Sequence, residues 1–145
     1  MEILLDTNIW VHAVKNTPLW EQVKKDHFKE TNVITSVVVK AEMLSLAKKW
    51  NWGLKKELLV INKLNEARLV EMTPGLIPFY VEIDLFSTSV GRIMGKNDLW
   101  IAALAMYEGA TLITADKDFN HLGGTKINLI EYDTDNLTHS AKTKE

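Results

Sequence analysis

Short apolar runs that stop abruptly at polar turns, each followed by a stretch with helical spacing, constrain this chain more than any other feature. Ile3-Leu4-Leu5 halts at Asp6-Thr7-Asn8. Val33-Ile34-Thr35, Arg68-Leu69-Val70-Glu71 and Ala110-Thr111-Leu112-Ile113-Thr114 repeat the pattern, and Leu129-Ile130 adds a fifth run. Runs this short read as strands, and their lack of polar alternation puts both faces of a sheet under cover. Helical segments fill the gaps. One follows from Ile9, and a second starts at Thr17-Pro18 with Thr17 as cap and Pro18 in the first turn. Ser36 caps a third that runs to about Trp50, and Asn51-Trp52-Gly53 breaks it before Leu54, Leu58, Ile61 and Asn65 resume the period. After the Thr73-Pro74-Gly75 turn, Ile77, Tyr80, Ile83, Ser87 and Val90 mark a longer helix ending at Gly91 or Gly95. A helix from Asp98 to Gly109 is apolar nearly all round and therefore buried.

Strands alternating with helices predict an α/β chain: a three-layer α/β/α sandwich around a mostly parallel sheet of about five strands. At 145 residues there is room for one domain. That domain is expected over residues 1–133, with 134–145 a polar, frayed C-terminal tail. With no cysteine, disulfides, thiolate metal sites and a Cys nucleophile are excluded, and a reducing cytoplasm is the default location. Met1-Glu2-Ile3-Leu4-Leu5 is too short an apolar start for a signal-peptide core. The longest apolar stretch, Leu99 to Tyr107, is about half of what spans a bilayer.

In parallel sheets the ligand site lies beyond the carboxyl ends of the strands. Asp6 follows the first strand and Asp116 follows the fourth, so both project toward that edge. Glu42 lies inside the helix that follows the second strand, and Asp98 sits in the first turn of the buried helix. Singly, each has an ordinary explanation as a cap, a turn former or a solvated helix residue. Together they form a cluster that repels itself. Two such charges about 5 Å apart cost roughly 3 kcal/mol at an effective dielectric of 20. No Arg lies near Asp6 or Glu42 in sequence to offset this, whereas a hard divalent cation would. Mg²⁺ and Mn²⁺ keep several waters, which supply a nucleophile while the ion stabilises charge on a phosphate.

These residues resemble those of PIN-domain ribonucleases, and most closely the VapC toxins of VapBC toxin–antitoxin pairs. The matching segments are Leu5-Asp6-Thr7-Asn8, Thr35-Ser36 through Ala41-Glu42-Met43-Leu44, Gly95-Lys96-Asn97-Asp98 through Ile101-Ala102-Ala103, and Leu112-Ile113-Thr114-Ala115-Asp116-Lys117-Asp118-Phe119. The resemblance implies Mg²⁺- or Mn²⁺-dependent hydrolysis of RNA phosphodiesters, leaving a 5′-phosphate and a 3′-hydroxyl. It implies Asp6 and Asp98 as main metal ligands, Glu42 and Asp116 completing the pocket, and Thr7, Asn8 and Thr114 orienting the carboxylates. It also implies an antitoxin partner. Many such toxins carry Asn where this chain has Asp116, which leaves the roles of Asp116 and Asp118 open.

Arg92, Lys96 and Lys117 flank the acidic motifs and are candidates for RNA phosphate contact, against the alternative of solvated surface charge. Lys48, Lys49, Lys55 and Lys56 surround Trp50 and Trp52, a cluster that suits base stacking, a partner peptide or a hinge with Trp packed inward. Trp10 and Trp20 flank the first loop as core or interface, and Trp100 reads as core. Tyr80, Ile83 and Phe86 suit either the core or a homodimer contact. His12, His27, His121 and His139 are scattered and are not expected to be catalytic.

Three other readings stay open. A haloacid-dehalogenase-like phosphatase also places Asp after its first strand, but it wants a second Asp where this chain has Asn8. A PIN-domain RNA-processing nuclease that is not a toxin, and a catalytically inactive PIN-like module binding RNA or protein, complete the set. Removing the four acids from the 19 leaves 15 against 17 bases, so a net charge of −2 is compatible with an RNA substrate.

Overall fold

The chain begins with a strand, β1 (Glu2–Leu5), in which Ile3, Leu4 and Leu5 are all fully buried. Full burial on both faces is why the run shows no polar alternation. The computed structural model describes residues 1–29 and 31–144; positions 30 and 145, the latter in the expected tail, lie outside the described residues. Helices α1 (Thr7–Lys15) and α2 (Pro18–His27) lead to β2 (Asn32–Thr35), and α3 (Val37–Lys49) and α4 (Gly53–Leu64) lead to β3 (Arg68–Leu69). A 3₁₀ turn at Pro74–Leu76 precedes α5 (Ile77–Ser89) and α6 (Lys96–Glu108). The sheet is completed by β4 (Thr111–Thr114), β5 (Asn128–Tyr132) and β6 (His139–Lys142).

The strand order is β3-β2-β1-β4-β5-β6. Every pairing is parallel except β5 with β6. Leu4 stands beside Ile34 on one side and Leu112 on the other. The carboxyl ends of β1, β2 and β4 therefore share one edge. Helix α1 packs against α2, α3 and α4, while α5 packs against α6. The expected α/β architecture is what the chain adopts.

Local chemistry explains where boundaries differ from expectation. Helix α1 begins at Thr7 rather than Ile9, because Asp6 caps it and accepts from the Thr7 amide. It stops at Asn16, which adopts the left-handed conformation that Asn tolerates. Helix α6 starts at Lys96, two residues early, with Gly95 as cap. Its residues Leu99 and Ile101 to Ala105 are buried as the all-round apolar pattern requires. The third strand pairs only at Arg68 and Leu69.

The polar segment after Thr134, expected to fray, instead forms β6. Asp133 turns the chain by accepting from the Asp135 and Asn136 amides, and its own amide donates to the Thr138 carbonyl. All four β6 residues are exposed. The strand forms because a backbone ladder to the open edge of β5 needs no apolar side chains. It makes a sixth strand where about five were expected.

Gly123 sits where β5 and β6 meet. A Cβ there would lie 3.0 and 3.1 Å from two atoms of Leu129 and 2.9 Å from Lys142 Cδ. Lys142 can swing away, but Leu129 is buried and must shift. We expect Gly123→Ala to lower unfolding free energy by about 1 kcal/mol, measured by urea denaturation; an unchanged midpoint would contradict the close packing.

Candidate active site

Asp6 occupies the junction of β1 and α1 and is 5% exposed. A carboxylate this deeply placed needs donors. Its Oδ1 accepts from the Thr7 amide at 2.8 Å. Its Oδ2 accepts from Thr114 Oγ1 at 2.9 Å and Asn8 Nδ2 at 3.1 Å. Asn8 in turn accepts from the Ala115 amide at 3.1 Å, and Thr114 Oγ1 accepts from the Asp116 amide at 3.0 Å. These bonds lock the end of β1 to the loop that leaves β4. Thr7 Oγ1 donates to Glu42 Oε1 at 2.9 Å and so fixes the acid on α3. Thr7, Asn8 and Thr114 thus hold acidic groups in place.

Asp6, Glu42, Asp98 and Asp116 all line one cleft of about 330 Å³, together with Thr7, Asn8, Val11, His12, Leu46 and Trp50. Two strand–helix junctions, the second turn of α3 and the first turn of α6 deliver these acids to one edge of the sheet. Asp118 is exposed beside the cleft and donates its amide to Asp116 Oδ1 at 3.0 Å. Arg92 Nη2 donates to the Lys117 carbonyl at 2.9 Å, which ties it to that same loop. Lys96 is exposed at the start of α6. Lys117 lines a separate pocket toward β5 and β6. None of these three cations is among the residues lining the acidic cleft.

The electrostatics follow from this crowding. Burial raises Asp6 from 3.8 to about 6, against the lowering effect of its Thr114 and Thr7 hydrogen bonds; Glu42 and Asp116 push it up further. Asp98 is raised to about 7, first by burial and then by repulsion from Asp6, Asp118, Glu42 and Asp116. Asp118 is also raised, by partial burial and by Asp116, while Arg92 opposes the shift.

The donor set is all oxygen and anionic, which fits a hard divalent cation. No three of these acids among the described residues bring oxygens all within 4.8 Å of one another. Water would therefore fill part of a cation's shell, as Mg²⁺ and Mn²⁺ favour. Glu42 and Leu46 also line an adjoining groove of about 590 Å³ along α3, with Val37, Ala41, Ser45, Lys49 and Asn97.

Trp50 belongs to the cleft, and of the alternatives open for this cluster the inward-packed hinge does not hold for it. It is 48% exposed, with Lys15 Nζ 5.4 Å from the centre of its ring. The signal was present in the spacing: Glu42, Leu46 and Trp50 recur every fourth residue on α3 and its cap. Trp52 is the inward member and packs on the core. His12 lines the cleft, but its Nδ1 shares a 2.8 Å hydrogen bond with Thr17 Oγ1. Trp10, Trp20 and Ile83 are core residues; Tyr80, Phe86 and Trp100 are partly buried against that core.

Comparison with known proteins converges on one family. The PIN domain matches residues 3–124. The chain is 30% identical over 127 residues to Ribonuclease VapC2 of Rickettsia felis, covering 84% of this chain and 92% of the relative. It is 25% identical over 114 residues to Ribonuclease VapC2 of Haemophilus influenzae, covering 79% and 86%. Among solved structures, it is similar to VapBC2 of Rickettsia felis bound to a DNA fragment from its promoter. That match has a TM-score of 0.77 and 26% identity, over 92% of this chain and 100% of the other. VapBC-1 of nontypeable Haemophilus influenzae shares the fold at TM-score 0.72 and 24% identity, over 89% and 96%.

The raised carboxyls make stability depend on pH in a definite direction. An acid whose folded-state pKa exceeds its unfolded value holds its proton longer in the fold, so ionisation costs stability as pH rises. For Asp98 that window runs from 3.8 to about 7. In EDTA, the melting temperature of Asp98→Asn relative to the parent should therefore climb between pH 4 and pH 8. Using the difference between the two proteins cancels the histidines, which titrate in both. A flat difference would mean that Asp98 is not electrostatically crowded.

Proposed function

This chain belongs to the PIN-domain family, and from that premise we propose that it is a divalent-metal-dependent endoribonuclease acting as the toxin of a toxin–antitoxin pair. The observation that carries the reading is the convergence of Asp6, Glu42, Asp98 and Asp116 on one cleft. The relatives named as VapC ribonucleases support it over most of their length. Dependence on a divalent metal is general among PIN nucleases; Mg²⁺ or Mn²⁺ is the choice that suits an all-oxygen set.

A cation held there supplies water activation and charge stabilisation on the scissile phosphate. The chain's own residues do the rest. Asp6 is the fixed ligand, its orientation set by Thr7, Asn8 and Thr114. Asp98 faces it as the second principal ligand, and without a cation it carries a proton up to near neutral pH. Glu42 is held by Thr7, and Asp116 by the Asx turn to Asp118, so each completes the cleft from its own side. Trp50 at the rim offers a face for a base. The groove along α3 provides a track for the strand, with Lys49 for phosphate contact. Arg92, Lys96 and Lys117 act at longer range around the acidic cleft.

The partners that fit are RNA, an antitoxin protein and a second copy of the chain. Leu54, Leu58 and Ile61 are exposed on α4, and Ile77, Val81 and Leu85 form an exposed stripe on α5. Stripes of this kind mark protein contacts. We place the nuclease domain at residues 1–133, extended by the segment that follows, whose strand β6 completes the same sheet. No helix among the described residues is long and apolar enough to cross a membrane, and a cytoplasmic setting suits the cysteine-free composition.

Three substitutions test the assignment. Asp6→Asn and Asp98→Asn should each reduce RNA cleavage more than about a hundredfold, since both remove a proposed ligand, whereas Thr114→Val, which only frees Asp6, should cost about 10- to 100-fold. A far-UV circular dichroism spectrum matching the parent's and a cooperative melting transition in EDTA would confirm that each variant folds. EDTA should abolish cleavage, and Mg²⁺ or Mn²⁺ should restore it. Full activity in Asp98→Asn would remove the site. Suppression by the product of a small adjacent reading frame would establish the toxin role.

A further inference from the structure

Two histidines far apart in the chain come together away from the acidic cleft. His27 is the last residue of α2 and His139 the first of β6. Their rings lie 5.1 Å apart, nearly perpendicular. Asp26 completes the group: its Oδ2 is 3.4 Å from His139 Nδ1. One ligand atom from each of Asp26, His27 and His139 lies within 4.8 Å of the other two.

We propose that Asp26, His27 and His139 form a second metal site, taking a borderline transition-metal ion such as Zn²⁺, that pins β6 to α2. Two imidazoles and one carboxylate suit Zn²⁺, which binds such sets with water in the fourth position. Ligands at 2.0–2.2 Å in a tetrahedron stand about 3.3 Å apart. The Asp26–His139 edge already has that length. The remaining edges are no longer than 4.8 Å, so closing them takes a rotation of the His27 and Asp26 side chains on α2 together with a shift of His139 on β6.

The carboxylate is oriented as metal-bound carboxylates usually are. Tyr132 Oη donates to Asp26 Oδ2 at 2.8 Å, and Gln22 Nε2 donates to Oδ1 at 2.8 Å. Each oxygen keeps a second lone pair for a cation. His27 Nε2 is buried and has no hydrogen-bond partner among the described residues. A buried ring nitrogen without a partner is costly in a folded chain, and a metal ion on that nitrogen would supply the partner it lacks. His139 lines a pocket of about 420 Å³, and Asp26 is itself exposed, so an ion can reach these two ligands from solvent. The C-terminal end of α2 also favours a cation.

The chemistry separates this site from the acidic one. Nitrogen ligands favour Zn²⁺, Ni²⁺ or Co²⁺ over Mg²⁺, whereas the acidic cleft offers only oxygen. The function is mechanical: β6 is held to the rest of the fold by its ladder to β5 and by these few side chains, and a bound ion would add a cross-link from the sheet edge to α2.

The test is calorimetric titration of the full chain with ZnCl₂ in excess Mg²⁺, repeated in the Asp6→Asn/Asp98→Asn background. Both should bind one Zn²⁺ per chain with high affinity. His139→Ala and Asp26→Asn should each weaken that binding at least about tenfold, the loss expected of a missing ligand. Co²⁺ in place of Zn²⁺ should give a visible absorption band that the same variants abolish. Zn²⁺ should also slow amide exchange across 139–142 in the parent and not in His139→Ala. No saturable Zn²⁺ binding in either protein, or binding untouched by His139→Ala, would overturn the site.

Discussion

The hydrogen bond from Thr114 Oγ1 to Asp6 Oδ2 is the contact on which this edge of the molecule depends. Asp6 ends the central strand of a parallel sheet, where its carboxylate is almost wholly removed from water. That position is tolerable only because donors from three directions converge on it. The same bonds register β1 against β4: the Asp6 amide donates to the Ile113 carbonyl, and Asn8 accepts from the Ala115 amide. A group that is expensive to bury thus also joins the ends of two strands and aims the loop that carries Asp116. Structural and chemical roles are not separable at this residue.

Asp6 is satisfied by donors, but the acids around it are not, and the difference fixes what the cleft can do. Asp98 has no side-chain hydrogen-bond partner among the described residues, and its carboxyl is pushed up chiefly by burial and then by its acidic neighbours. Arg92, whose charge opposes the shift of Asp118, is committed to the Lys117 carbonyl. The cleft therefore has a deficit of positive charge that the protein does not supply. A protein that only bound RNA phosphate would gain from the opposite arrangement, since anions attract no anion. A cation that arrives with waters resolves both problems, lowering the repulsion and giving phosphate something to meet.

Much of this was legible in the sequence because the relevant features are local. Ile3-Leu4-Leu5 and Leu112-Ile113 announce fully buried strands, and parallel topology then forces Asp6 and Asp116 to one edge. Glu42 was recoverable because its helix is capped by Ser36 directly after β2. Features that depend on distant partners were not legible. β6 carries no apolar signal, since its stabilisation comes from the backbone ladder to β5. The approach of His27 to His139 exists only because that strand forms and turns the tail back toward α2. Trp50 was assigned with Trp52 by proximity in sequence, although α-helical spacing groups it with Glu42 and Leu46 instead.

The pair Asp116 and Asp118 shows how two acids two residues apart can divide one task. Asp116 lines the cleft but spends one oxygen on the Asp118 amide, forming the Asx turn that starts the loop. Its own amide is held by Thr114, so its position follows from β4 and is transmitted from Asp6. Asp118 does not line the cleft, yet it raises Asp98 more strongly than Asp116 does. Arg92 offsets part of that charge from outside. Asp116 thus offers its free oxygen to the cleft, and Asp118 shapes the loop and the field at Asp98. Exchanging the two would require the turn to be rebuilt, because Asp116, two residues past β4, both donates its amide to the Thr114 hydroxyl and accepts from the amide two residues on.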